Sequence, residues 1–98
     1  MKSFNDLNKA FENRIRLGIM SILMVEDTID FNSLKSSLDV TDGNLASHIK
    51  ALENSEYIQY EKSFFGKKPL TKYRLTTLGK FEFEKHLNAL EALLKNLK

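Results

Sequence analysis

The sequence predicts a mostly helical α+β fold: short helices, then one β-hairpin, then a long last helix. Three observations predict it. Apolar residues recur at helical spacing across the first half, notably Leu45, Ile49 and Leu52 at i, i+4, i+7. The period changes to two in Ile58–Glu61 and again in Lys72–Leu75, around a segment that holds Gly66 and Pro69. Finally, Phe83, Leu87, Leu90, Leu94 and Leu97 are spaced 4, 3, 4, 3, the seam of a helix that packs along its length. With 98 residues and 42% hydrophobic content, the chain has material for one domain, 1–98, and a modest core.

Taken in order, Ser3 or Asn5 can cap a first helix with Phe4, Leu7 and Phe11 on one stripe. Asn13 can cap a second helix or lie within a continuing one. The stretch IRLGIMSILM is apolar around most of its circumference, as expected of a central buried helix, and Glu26-Asp27-Thr28 ends it. Ile29 to Phe31 reads as a short extended segment, a candidate third strand beside the hairpin. Asp30 or Asn32 then caps a short helix that faces Phe31, Leu34 and Leu38 inward.

The turn Asp39-Val40-Thr41 leads into a helix over residues 42–55. Thr41 is its N-cap, and Asp42 complements the positive helix end. Its inner stripe leaves Asp42, Asn44, Ser47, His48, Lys50 and Ala51 on or flanking the outer side. All are small or hydrogen-bonding, which suits a helix that enters a major groove. Gly43 in the first turn costs roughly 1 kcal/mol against alanine, and close approach of the backbone to a phosphate is one reason to accept it. The hairpin spans residues 58–75. Ile58 and Tyr60 are expected on a buried face, with Phe65-Gly66-Lys67-Lys68-Pro69 as the connection. Thr76 caps a last helix over 77–97.

A net charge of +2 says little; its distribution says more. Lys62, Lys67, Lys68, Lys72, Arg74 and Lys80 follow one another with no acid between them, whereas Glu26, Asp27, Asp30, Asp39 and Asp42 crowd an earlier stretch. A basic hairpin directly after a polar helix is the footprint of polyanion binding. The candidate DNA contacts are therefore Thr41, Asn44, Ser47, His48 and Lys50 on the helix, and Lys62, Lys67, Lys68 and Lys72 on the hairpin. A histidine in such a helix is as often a packing residue bonded to a neighbour as a DNA contact.

These segments resemble the winged helix-turn-helix regulators of the MarR and ArsR type, especially a small single-domain group. The resemblance covers nearly the whole chain. It rests on RLGIMSIL (16–23), TDGNLASHIKALENSEYI (41–58), GKKPLTKYRLT (66–76) and Leu75-Thr76-Thr77-Leu78-Gly79. It implies a recognition helix at 42–55, a β-wing near 64–70, and a transcription factor that works as a homodimer on double-stranded DNA. The chain departs from ArsR-type metal sensors in having no cysteine, so no thiolate metal site is expected. A second departure is Arg14, where many relatives have proline.

Dimerisation is also expected from the residues. One small core cannot bury both Phe4, Leu7 and Phe11 at one end and Phe83, Leu87, Leu90, Leu94 and Leu97 at the other. A symmetry mate would cover both sets. No membrane-spanning run occurs, and MKSFNDLNKAF is too polar for a secretory leader, so a cytoplasmic location is expected. Nothing points to an enzyme, a metal or a cofactor: no nucleotide-binding loop, no calcium-loop spacing and no nucleophile–base set is present. No feature marks an effector pocket. The competing reading is a winged-helix module that binds another protein and no DNA.

Overall fold

The structure, a computed structural model, describes residues 2–96. Five helices and a three-stranded antiparallel sheet follow the expected order. Helix α1 is short, Lys2–Asn5, and a 3-10 turn occupies Lys9–Phe11. The single stripe expected through Phe4, Leu7 and Phe11 is therefore broken. Asn8 breaks it: its side chain accepts from the Ala10 N–H at 2.9 Å, and its own N–H donates to Nδ1 of His86 at 2.9 Å. This stop turns Phe11 into the body of the protein, away from Phe4.

Helix α2, Arg14–Val25, starts at Asn13, whose side chain accepts from the N–H groups of Ile15 and Arg16. Ile19, Met20 and Leu23 bury its inner side. Strand β1, Ile29–Asp30, is the expected third strand; Ile29 pairs with Tyr73 and Asp30 with Lys72. Asp30 also caps α3, Phe31–Leu38, by accepting from Ser33 N–H. Asp39 then takes a left-handed conformation (φ 52°), which ends α3 and turns the chain toward the next helix.

Helix α4, Asp42–Asn54, buries Leu45, Ile49 and Leu52. A tight exit follows, with Glu56 at φ 62° and Tyr57 N–H donating to Leu52 O at 3.0 Å. Strands β2, Ile58–Phe65, and β3, Lys68–Leu75, form the hairpin, so the connection is two residues, Gly66 and Lys67, and not the five expected. Gly66 sits at φ 64°, where a Cβ is disfavoured. Pro69 lies within β3, opposite Phe64 and beyond the reach of β1, where its missing N–H costs no ladder bond on the β1 side.

Helix α5, Thr77–Asn96, is docked by its first turn. Thr76 Oγ1 accepts from Gly79 N–H at 2.8 Å, while the Thr76 hydroxyl donates to Glu56 O and its N–H to Tyr57 O. Gly79 passes so close to Tyr57 that an added Cβ would land on that residue's carbonyl. The core is continuous from Phe11 through Ile19, Met20, Leu34, Leu45, Leu52 and Ile58 to Phe83. Phe11 packs edge-on against both Phe83 and His86, with ring centroids 5.1 and 5.4 Å apart.

Two expectations about burial are corrected here. Phe11 and Phe83 lie in the chain's own core, each about 2% exposed or less, so neither needs a partner to cover it. The apolar stripe of α5 is split: Gly79, Phe83, His86 and Ala89 face inward, whereas Leu87, Leu90 and Leu94 stay exposed. Phe4 is exposed and Leu7 half-buried. Leu97 lies outside the described residues.

Candidate nucleic-acid interface

Helix α4 sorts its residues cleanly. The inner stripe is buried, while Asn44, Ser47 and Lys50 are exposed on the other side. Thr41 is exposed too, but its hydroxyl oxygen already accepts from Asn44 N–H at 3.2 Å as the helix cap. Its hydroxyl hydrogen remains available to donate. Beside Gly43, no neighbouring atom lies within 4 Å of where a Cβ would be, so packing does not explain that glycine. Asp42 is tied to α3 by an ion pair with Lys35, 2.8 Å apart and mostly exposed.

His48 occupies an intermediate position. It is half-buried, and Arg16 of α2 donates from Nε to its Nδ1 at 3.0 Å. That bond occupies the Nδ1 lone pair, so the neutral ring carries its hydrogen on Nε2 and can act there only as a donor. Burial, and then the Arg16 charge, hold its pKa below the ordinary histidine value. Sequence reasoning missed Arg16. The signal was available, since it is the one cation within the largely apolar stretch IRLGIMSILM.

The hairpin carries its lysines unequally. Lys62, Lys67 and Lys68 are exposed. Lys72 is half-buried, paired in register with Glu61 on one side and Asp30 on the other. Arg74 in turn approaches Glu61 at 3.8 Å. The base of the hairpin is therefore close to charge-balanced, and the positive field rises toward the tip. Tyr60, expected to be buried, is 56% exposed, because β2 runs past the edge of the helical body. Phe64 and Phe65 at the tip are 69% and 78% exposed, and sequence reasoning gave them no role.

The structure thus brings α4 and the hairpin together directly, the C-terminus of one leading through Ser55, Glu56 and Tyr57 into the other. Among the described residues no cluster of three or more His, Cys, Asp or Glu side chains could hold a metal, and no helix is long and apolar enough to cross a membrane.

Comparison with known proteins gives a consistent set of matches. A family model described as a winged helix DNA-binding domain matches residues 15–94. An uncharacterised protein of Methanocaldococcus jannaschii is 32% identical over 89 residues, covering 91% of this chain and 97% of that protein. A solved structure of a transcriptional regulator homologue from Pyrococcus horikoshii is 31% identical with a TM-score of 0.89, covering 100% of this chain and 99% of its own. A MarR-family transcriptional regulator from Enterococcus faecalis shares the fold at 20% identity, with a TM-score of 0.75 over 90% of this chain and 78% of its own.

Proposed function

The chain belongs to the winged helix DNA-binding domain family, and we propose that it is a transcriptional regulator that binds specific sequences of double-stranded DNA as a homodimer. The family and fold are those of regulators and not of enzymes. In this reading α4 lies in the major groove, with Asn44, Ser47, His48 and Lys50 toward the base edges. Thr41 and the N-terminus of α4 meet a phosphate, and Gly43 lets the backbone come close. Lys62, Lys67 and Lys68 follow the phosphate backbone from the hairpin, and Lys72 supports them from its base.

One observation carries the reading. A helix with exposed Asn44, Ser47 and Lys50 leads by a three-residue turn into a hairpin whose tip lysines, Lys67 and Lys68, are exposed and have no acidic residue beside them in sequence or register. Arg16 adds to this picture. By holding His48 through Nδ1, it sets the ring as an Nε2–H donor, which suits a phosphate oxygen or a guanine O6 or N7 and excludes the adenine amino group. The outward residues Leu87, Leu90 and Leu94 of α5, with Phe4 and Leu7, supply the surface for a second copy.

A mobility-shift titration tests the function. Duplexes recovered by the chain from a random pool serve as specific probes, and scrambled duplexes as controls. Alanine at Asn44 or Ser47 is expected to weaken specific binding by about 1–3 kcal/mol for each base edge no longer read, with a smaller effect on scrambled duplex. Equal weakening on both would assign these side chains to backbone positioning. If wild type shows no salt-dependent shift on any duplex, the protein-binding reading takes its place.

A further inference from the structure

We propose that the hairpin tip carries an apolar wedge, Phe64 backed by Pro69, that enters the minor groove and partly unstacks one base step. The proposal rests on the DNA-binding reading above and deepens it. The register sets Phe64 opposite Pro69, Lys62 opposite Thr71 and Tyr60 opposite Tyr73. Since opposed residues share a face and alternate residues return to it, Tyr60, Lys62 and Phe64 line one side of the hairpin. At its base that side is buried, for Ile58 and Tyr73 join the core with Leu45, Ile49 and Leu52 of α4. From Tyr60 outward nothing covers it, and the tip stands about 17 Å further along the strand.

Large exposed rings on a narrow, charged hairpin call for an occupant. The charge pattern selects one. No acidic residue follows Glu61 until Glu82, so the Tyr60–Lys62–Phe64 side holds its rings and one lysine without a carboxylate. The opposite side holds Phe65, Lys68 and Lys72 together with Glu61. A ring with Lys62 beside it and Lys67 in the turn beyond matches a groove walled by phosphates and floored by stacked bases, and proteins that bend DNA insert phenylalanine and proline in this way. Only the Phe64 ring need enter a groove about 6 Å wide: the two-residue turn leaves it near the end of the hairpin, and Pro69 stiffens the strand beside it. Unstacking is easiest at TA and CA/TG steps, so the wedge gives sequence preference at a position where α4 makes no hydrogen bond.

Short duplexes selected from a random pool, labelled with a donor and an acceptor dye at their ends, provide the probe. Wild type is expected to shorten the end-to-end distance and to favour a TA or CA/TG step under the wing over a stiff A-tract by about tenfold. Phe64→Ala is expected to abolish the bend and the preference and to weaken binding about tenfold. Phe64 is exposed, so the salt slope and thermal unfolding should stay as in wild type, and Phe64→Trp should retain bending. A bend and step preference that survive Phe64→Ala overturn the wedge and leave the DNA reading intact. A wild type that ignores duplex and instead binds phosphatidylserine vesicles through Phe64 overturns both and assigns the tip to a membrane surface.

Discussion

At Gly79 one methyl group decides whether the last helix can dock. The added Cβ would meet backbone atoms of Tyr57, and the same stretch is held by the Thr76 bonds to Glu56 and Tyr57, so neither side can move aside cheaply. Gly79→Ala is expected to destabilise the fold by roughly 3 kcal/mol, the upper end for overpacking, as read from denaturant unfolding; a change within about 0.5 kcal/mol, the usual scatter of surface substitutions, would contradict the close approach. His86 makes a second prediction. Burial holds its pKa below the ordinary 6.5, with the Glu12 charge opposing in part, and its Nδ1 already accepts from Asn8 N–H. His48 is lowered as well. The unfolded chain therefore takes up these protons at higher pH than the folded one. Stability is full above about pH 6.5 and falls as pH drops below it through the native values. The melting temperature should decline between about pH 7 and about pH 5, and less so in His86→Asn; an unchanged decline in that variant would clear His86 of the effect. Little of this was legible from His86 in the sequence: Phe83 is its i−3 neighbour on the same helix, but Asn8 and Phe11 come from the other end of the chain and no local pattern joins them to it.

Elements were more legible than residues wherever the signal is local. Thr41 and Thr76 read as caps, and Asn13 as one of two alternatives, because an N-cap needs only its own side chain and the next three N–H groups. The hairpin limits, 58 and 75, agree with the strands for a similar reason, since alternation and turn residues lie close together. Burial of Tyr60 was misread, because alternation predicts which face a side chain takes but not whether the body extends far enough to cover it. That overhang is also what makes the hairpin able to reach a partner. If Lys67 and Lys68 contact phosphates, replacing both with alanine should weaken binding to all duplexes almost equally. The slope of log K against log salt should become shallower by roughly 1–2 units. An unchanged slope would place the tip off the DNA. Lys72→Ala should change the slope less, since Lys72 is half-buried and stands beside Glu61 and Asp30 in register.

On the scale of the whole molecule, the last helix joins the fold to its use. Its 20 residues span about 30 Å, and only part of its surface is covered by the body and by α1. The 4, 3, 4, 3 spacing was read as one seam, yet Phe83 serves the core while Leu87, Leu90 and Leu94 remain outside. Periodicity gives a stripe without saying what covers it, and here the core takes only one end of it. A partner's α5 laid along Leu87, Leu90 and Leu94 would relate two copies of α4 by a two-fold axis. Such a dimer should prefer a near-palindromic site with half-site centres about one turn of DNA apart, ~34–36 Å. Leu90→Glu places a carboxylate in the middle of that interface, where leaving it unpaired costs several kcal/mol. In the separate protomer Leu90 is exposed, so the variant should fold normally and keep α4 and the hairpin. It should sediment as a monomer where wild type is a dimer, and its affinity for a full palindrome should fall to that for one half-site. The two measurements check each other. A wild-type monomer at about micromolar concentration, where a Kd near that value corresponds to roughly −8 kcal/mol, would remove the dimer. A dimer that persists with Leu90→Glu would move the interface to Phe4 and Leu7 at the other end.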